Sequence, residues 1–155
     1  MPDFKQRILF EIHYINYAWG FQDQGLIIDS LGNIRVFNLS TKSVKWNFPD
    51  QQGYISRVDM DNNVNLCDSI VKKLNKDSLS FYVSKIWKAS KGKISEPKYV
   101  MFDAGITNYS AYIFDEKTNR YKKVLIKIWG DTSVDNDAPE AEEIYQWLKR
   151  IQLEK

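Results

Sequence analysis

From Arg7 to Tyr14 the chain alternates, with Ile8, Phe10, Ile12 and Tyr14 on one parity and Arg7, Glu11 and His13 on the other. A repeat of two is the repeat of a pleated strand, so the segment predicts a strand over 7 to 15 with one buried and one solvated face. A strand cannot satisfy its backbone alone, and this one commits the chain to building a sheet. In Tyr14-Ile15-Asn16-Tyr17-Ala18-Trp19-Gly20, Asn16 and Gly20 tolerate left-handed backbone and predict a reversal. Tyr17 and Trp19 lie inside it, either as a lid on the sheet end or as a stacking platform for a sugar, a peptide or a base.

The same reasoning extends the sheet. Strands are predicted over 24 to 29 and 33 to 39, joined by Asp29-Ser30-Leu31-Gly32-Asn33, whose residue types suit a short hairpin loop. Residues 40 to 65 are polar with Trp46, Phe48, Tyr54 and Ile55 spaced among them, so this long connection is either functional or holds short elements of its own. Leu66, Ile70, Val71 and Leu74 keep helical spacing and predict a helix that stops near Asn75. A second helix starts at an Asp77 or Ser78 cap and carries Leu79, Tyr82, Val83, Ile86 and Trp87 on one stripe, with Gly92 ending it. A second meander follows, with strands at Tyr99 to Phe102, Thr107 to Phe114 and Tyr121 to Trp129. Asp137 is the expected cap of a C-terminal helix whose inner stripe is Ala141, Ile144, Leu148 and Ile151. The sum is one α+β domain over 1–155. It has an antiparallel sheet of about six strands in two meanders, two helices inserted between them, and a C-terminal helix packed on one face.

Length is sufficient for such a core: 155 residues bury about two thirds of the surface of the unfolded chain. Cys67 is the sole cysteine, which excludes an intramolecular disulfide. The net charge of +2 does not argue for nucleic acid. Its distribution is uneven, with eight lysines against two acids from Lys72 to Lys98 and six acids without a base from Asp131 to Glu143. Both read as solvated segments, and the scarcity of Arg in the basic one further disfavours phosphate or base recognition. No run of eighteen apolar residues is present to span a membrane. The polar start, Met1-Pro2-Asp3-Phe4-Lys5, does not resemble an export signal.

Reactive groups are few. His13 is the only histidine, and on the strand alternation it falls on the polar face, as a solvent-exposed or sheet-edge side chain. Catalysis by His13 with Cys67 or a serine is therefore not expected, and no catalytic residue is assigned. One His and one Cys do not make a zinc cage. Asp59-Met60-Asp61-Asn62-Asn63 alternates acids and amides as calcium loops do, but Val64 stands where the turn wants Gly. Asp131, Ser133, Asp135, Asp137 and Glu142 fit the spacing better, yet a helix-capping loop explains the same acids. No metal ligand and no cofactor is assigned, since the isolated glycines form no phosphate loop.

Asn16-Tyr17-Ala18-Trp19-Gly20, Gly25 to Asp29, Asp103-x-Gly105 and the terminal Glu140-Ala141-x-x-Ile144-Tyr145-x-Trp147-Leu148 segment together resemble small uncharacterised bacterial lipoprotein-like proteins. The resemblance implies an α+β fold and a cell-envelope location; without an export segment the location would be cytoplasmic. The lipid-acceptor cysteine of such proteins has no counterpart near residue 1. The first expectation is a non-enzymatic module that binds a protein, peptide or saccharide through its aromatic loops, with Tyr17, Trp19, Trp46, Phe48 and Tyr54 as contact residues. On that expectation Trp46 is a surface ring whose loss leaves stability almost unchanged. The alternatives are a hydrolase using cleft carboxylates and a structural subunit of an envelope assembly.

Overall fold

A computed structural model describes residues 5–18 and 20–154. Nine strands form one sheet in which every strand pairing is antiparallel. They are β1 (Ile8–Asn16), β2 (Gln22–Asp29), β3 (Asn33–Asn38), β4 (Tyr54–Ser56), β5 (Ser69–Lys73), β6 (Lys98–Tyr99), β7 (Ile106–Asp115), β8 (Arg120–Gly130) and β9 (Thr132–Asp135). Four helices accompany them: α1 (Arg57–Asn65), α2 (Lys76–Val83), α3 (Ile86–Ala89) and α4 (Pro139–Glu154). The order across the sheet is β5-β3-β2-β1-β7-β8-β9-β6, with β4 also paired to β8. The α+β class and the first meander stand; the second is β7-β8-β9, because the strand expected at Tyr99 to Phe102 is the two-residue β6, which pairs β9 at the far edge and not β7. The strand count rises from six to nine through β4, β5 and β9, which occupy stretches expected to be loop or helix.

β1 is the seam, pairing β2 on one side and β7 on the other. Its N-terminal half is not a simple alternation, because a bulge between Ile8 and Phe10 shifts the parity. Leu9, Phe10 and Ile12 thereby join the core beneath the helices, while Ile8 joins the core on the opposite face. The first core includes Leu26, Ile28, Ala111 and Ile126 of the sheet, together with Ala141, Ile144, Leu148 and Ile151 of α4. Phe10 meets Trp147 edge-on at 5.0 Å, and Trp147 stacks on Tyr82 of α2 at 4.3 Å. The second core includes Ile27, Phe37, Trp46, Met60, Tyr112 and Tyr121, under α1 and the segment that leads to it. Both faces of the sheet are thus covered, and the expectation of one solvated face at β1 is corrected.

Two helical assignments are also corrected. Ile70 and Val71 belong to β5, and Leu74 follows it; the strand adds to the edge at β3 with all five of its residues exposed. The next helix is broken into α2 and α3, and its cap is Asn75, whose side chain accepts from Asp77 N and Ser78 N. The 40–65 connection contains β4 and α1, the latter capped by Ser56 accepting from Asp59 N. Asp137, expected to cap α4, accepts a hydrogen bond from Lys93 N at 2.7 Å. Among the described residues no helix is long and apolar enough to cross a membrane.

Candidate functional site

On the face of β1 opposite the helices, Glu11, His13 and Ile15 point the same way. His13 is only 3% exposed, which corrects its placement on a solvated face. It is buried because the segment around Trp46 folds over it. Asn63, fully buried on α1, clamps that segment: its amide accepts from Asn47 N at 2.8 Å and donates to Asn47 O at 2.8 Å. A side-chain amide paired with one backbone amide substitutes for a strand pairing the loop cannot make. The Asp59 to Asn63 stretch that resembled a calcium loop is therefore helix and clamp.

Gly25 of β2 lies directly across from His13 and across from Phe37 of β3. A side chain at 25 would meet the Ile12 carbonyl oxygen at 2.0 Å and the Phe37 ring at 2.8 Å. Its absence lets Phe37 lean over the strand until its ring is 5.0 Å from that of His13. Trp46 stacks on Phe37 at 3.9 Å and stands edge-on to His13 at 5.5 Å. Phe48 lies nearly parallel to the imidazole at 5.4 Å. Three rings thus surround the histidine.

Two carboxylates accompany it. His13 Nε2 is 2.5 Å from Asp23 Oδ1, and Nδ1 is 3.8 Å from Glu11 Oε2. Burial pushes the imidazole pKa down, but the hydrogen bonds and charges of Glu11 and Asp23 outweigh it and hold the pKa above its ordinary value. The two carboxylates thus favour protonation of the ring beyond that of an ordinary imidazole, and a protonated ring donates from both nitrogens. Nε2 is satisfied by Asp23, whereas Nδ1 is buried without a hydrogen-bond partner among the described residues. Glu11 Oε1 accepts from the Tyr112 hydroxyl at 3.1 Å. Lys123 of β8 is held below its ordinary pKa by burial, with the Glu11 charge opposing the shift.

In front of these groups opens a cavity of about 540 Å³. Glu11, His13, Asn108 and Lys123 line its polar wall, and Tyr17 and Phe48 line it from the loops. The turn carrying Tyr17 is held by Asn16, whose Oδ1 accepts from Ala18 N at 2.8 Å and whose Nδ2 donates to the Tyr14 hydroxyl at 2.9 Å. Asn16 works through its side chain; the left-handed residue of the turn is Gly20, at φ +94°. The volume lies in the ~300–1,000 Å³ range of small-molecule sites.

The expected aromatic set divides. Tyr17 and Phe48 share the cavity and are 75% and 58% exposed. Trp46 is 4% exposed and part of the core behind the cavity, so it is a support and not a surface ring. Tyr54 is on β4, with the guanidinium of Arg120 at 3.6 Å over its ring and Lys122 at 4.4 Å. Trp19 lies outside the described residues. Cys67 is not an activated partner for His13: burial pushes its thiol up to about 12, and it donates to Asn63 O at 3.7 Å. Among the described residues no three His, Cys, Asp or Glu side chains are set to hold a metal ion, the Glu11, His13 and Asp23 group included.

No family model, curated protein or solved structure matches this chain. The polar wall was missed in the sequence because Glu11 and His13 were read by polarity alone. Two signals pointed to it: Gly25 inside a strand, which marks a close approach, and an aromatic connection long enough to cover the polar parity of β1.

Proposed function

We propose that the protein is a small-ligand binding module whose site is the cavity over β1, β7 and β8. One observation carries this reading: a cavity of ligand size joins two exposed rings, Tyr17 and Phe48, to a buried wall of ionisable groups that includes an unsatisfied imidazole nitrogen. Sites of this kind combine apolar contact with a few placed polar groups. The resemblance to lipoprotein-like proteins supports the cell envelope as the place where that ligand is met. The test is an amide NMR screen of the labelled protein against a library of small polar compounds. Binding should move the resonances of His13, Asn108 and Phe48 together, and Phe48→Ala should weaken it while the rest of the spectrum stays folded. A screen in which no compound moves this set refutes the reading.

A second reading, acid–base chemistry on the bound compound, is favoured by the Asp23 and His13 pair facing Glu11. Turnover of chromogenic esters or glycosides that Glu11→Gln abolishes would establish it; an inactive wild-type protein that binds its ligand would leave the first.

A further inference from the structure

The chemistry of the wall narrows the ligand, on the footing that the cavity is a binding site. At its back His13 Nδ1 is buried without a hydrogen-bond partner among the described residues, so the groups a ligand meets are the polar side chains around it. The Glu11 carboxylate accepts while Asn108 and Lys123 donate, so the ligand must both donate and accept, which an ammonium does not. Glu11 Oε2 is 3.8 Å from Nδ1, too far for a direct hydrogen bond, and Glu11 itself lines the cavity. The wall carries both signs, Lys123 against Glu11 and Asp131 with Asp23 behind, so an ion of either sign would meet its own charge there. The group has to accept and donate at once and carry no charge. A hydroxyl does this at a single atom.

The rest of the wall asks for several such groups. Asn108 and Lys123 place further polar groups on the two strands beyond β1, while Phe48 and Tyr17 present ring faces from the loops. An isolated amide would engage only part of this wall. A ring with hydroxyls on successive carbons and an apolar C–H face engages both the wall and the rings.

We infer that the cavity takes a neutral saccharide, with its hydroxyls on Glu11, Asn108 and Lys123 and a C–H face of the sugar against Phe48.

The experiment uses the whole chain, labelled with nitrogen-15, and follows its amide resonances with a panel of neutral mono- and disaccharides. Glucuronate, inorganic phosphate and a glycine dipeptide amide serve as comparison probes. A neutral sugar should move the Glu11, His13 and Asn108 resonances, and glucuronate should bind more weakly than its neutral parent. Phe48→Ala should weaken the sugar by about tenfold, the upper end of what one aromatic contact supplies. Glu11→Gln should weaken it as well, with an amide spectrum confirming that each variant is folded. Binding of phosphate or the dipeptide amide in place of sugars overturns the saccharide assignment and leaves the binding module standing. Silence from this panel, with hits from the wider library, does the same. Silence from both overturns both.

Discussion

Asp23→Asn probes the charge state on which the site depends. The Asp23 side chain is 10% exposed and that of His13 is 3%, with Oδ1 at 2.5 Å from Nε2. The substitution keeps the shape and removes one of the two carboxylates that favour imidazolium. Breaking one side of a buried ion pair costs about 3–5 kcal/mol. For a chain of this size each kcal/mol moves the thermal midpoint by about 2–4 °C, so a fall of roughly 6–20 °C is expected. The pH dependence has a definite sign. Because the folded pKa of His13 is raised, its contribution is complete below the unfolded value of about 6.5 and is lost as pH rises through the folded pKa. The penalty of Asp23→Asn should therefore be large near about pH 5.5 and smaller near about pH 9. Melting followed by circular dichroism at both pH values measures it, and the NMR titration of the His13 ring should move to lower pH in the variant. A penalty equal at the two pH values, or larger at the higher one, would refute the argument that imidazolium is the buried species.

Two further substitutions separate the support of the site from its surface. Trp46→Ala should cost about 3–5 kcal/mol in urea unfolding, since the ring is 4% exposed and stacked on Phe37; an unchanged midpoint would return Trp46 to the surface. Asn63→Ala leaves both the N–H and the C=O of Asn47 without their side-chain partner, at about 1–3 kcal/mol per unsatisfied group. Hydrogen exchange at the Asn47 amide should accelerate, and unchanged protection would show that something other than Asn63 holds the loop.

The parts of the fold that were legible were those in which hydrophobic spacing and burial coincide. The stripe of α4, Ala141, Ile144, Leu148 and Ile151, lies in the core beneath the sheet as expected. β5 was not legible, because apolar spacing at 66, 70, 71 and 74 suggests one buried stripe, whereas Leu66 packs against the second core, Leu74 against the first, and Ile70 and Val71 between them are exposed. Its place is decided by backbone pairing at the edge, from Asp68 N to Val36 O and from Leu74 N to Gly32 O. Such a pairing is a property of two distant segments and leaves no local period. The break between α2 and α3 is likewise invisible in a stripe that runs from Leu79 to Trp87, although Ile86 is buried and Trp87 is exposed.

The candidate site was illegible for a different reason. Alternation reports that two parities differ in polarity, and the step from polar to solvated holds only when one face of the sheet is open. Here the second face is closed by α1 and the Trp46 loop, so the polar parity of β1 is buried as a group. Burying Glu11, His13 and Asp23 separately would cost several kcal/mol each, but an imidazolium between two carboxylates offsets much of that. The compensation is incomplete at Nδ1, which has no hydrogen-bond partner among the described residues, and His13 is part of the cavity wall. A core designed only for stability would have placed an apolar residue at position 13, as it does at Ile12 and Ile27. The retained histidine, short of one hydrogen bond among the described residues, thus stands in the wall of the cavity where a ligand is proposed to bind.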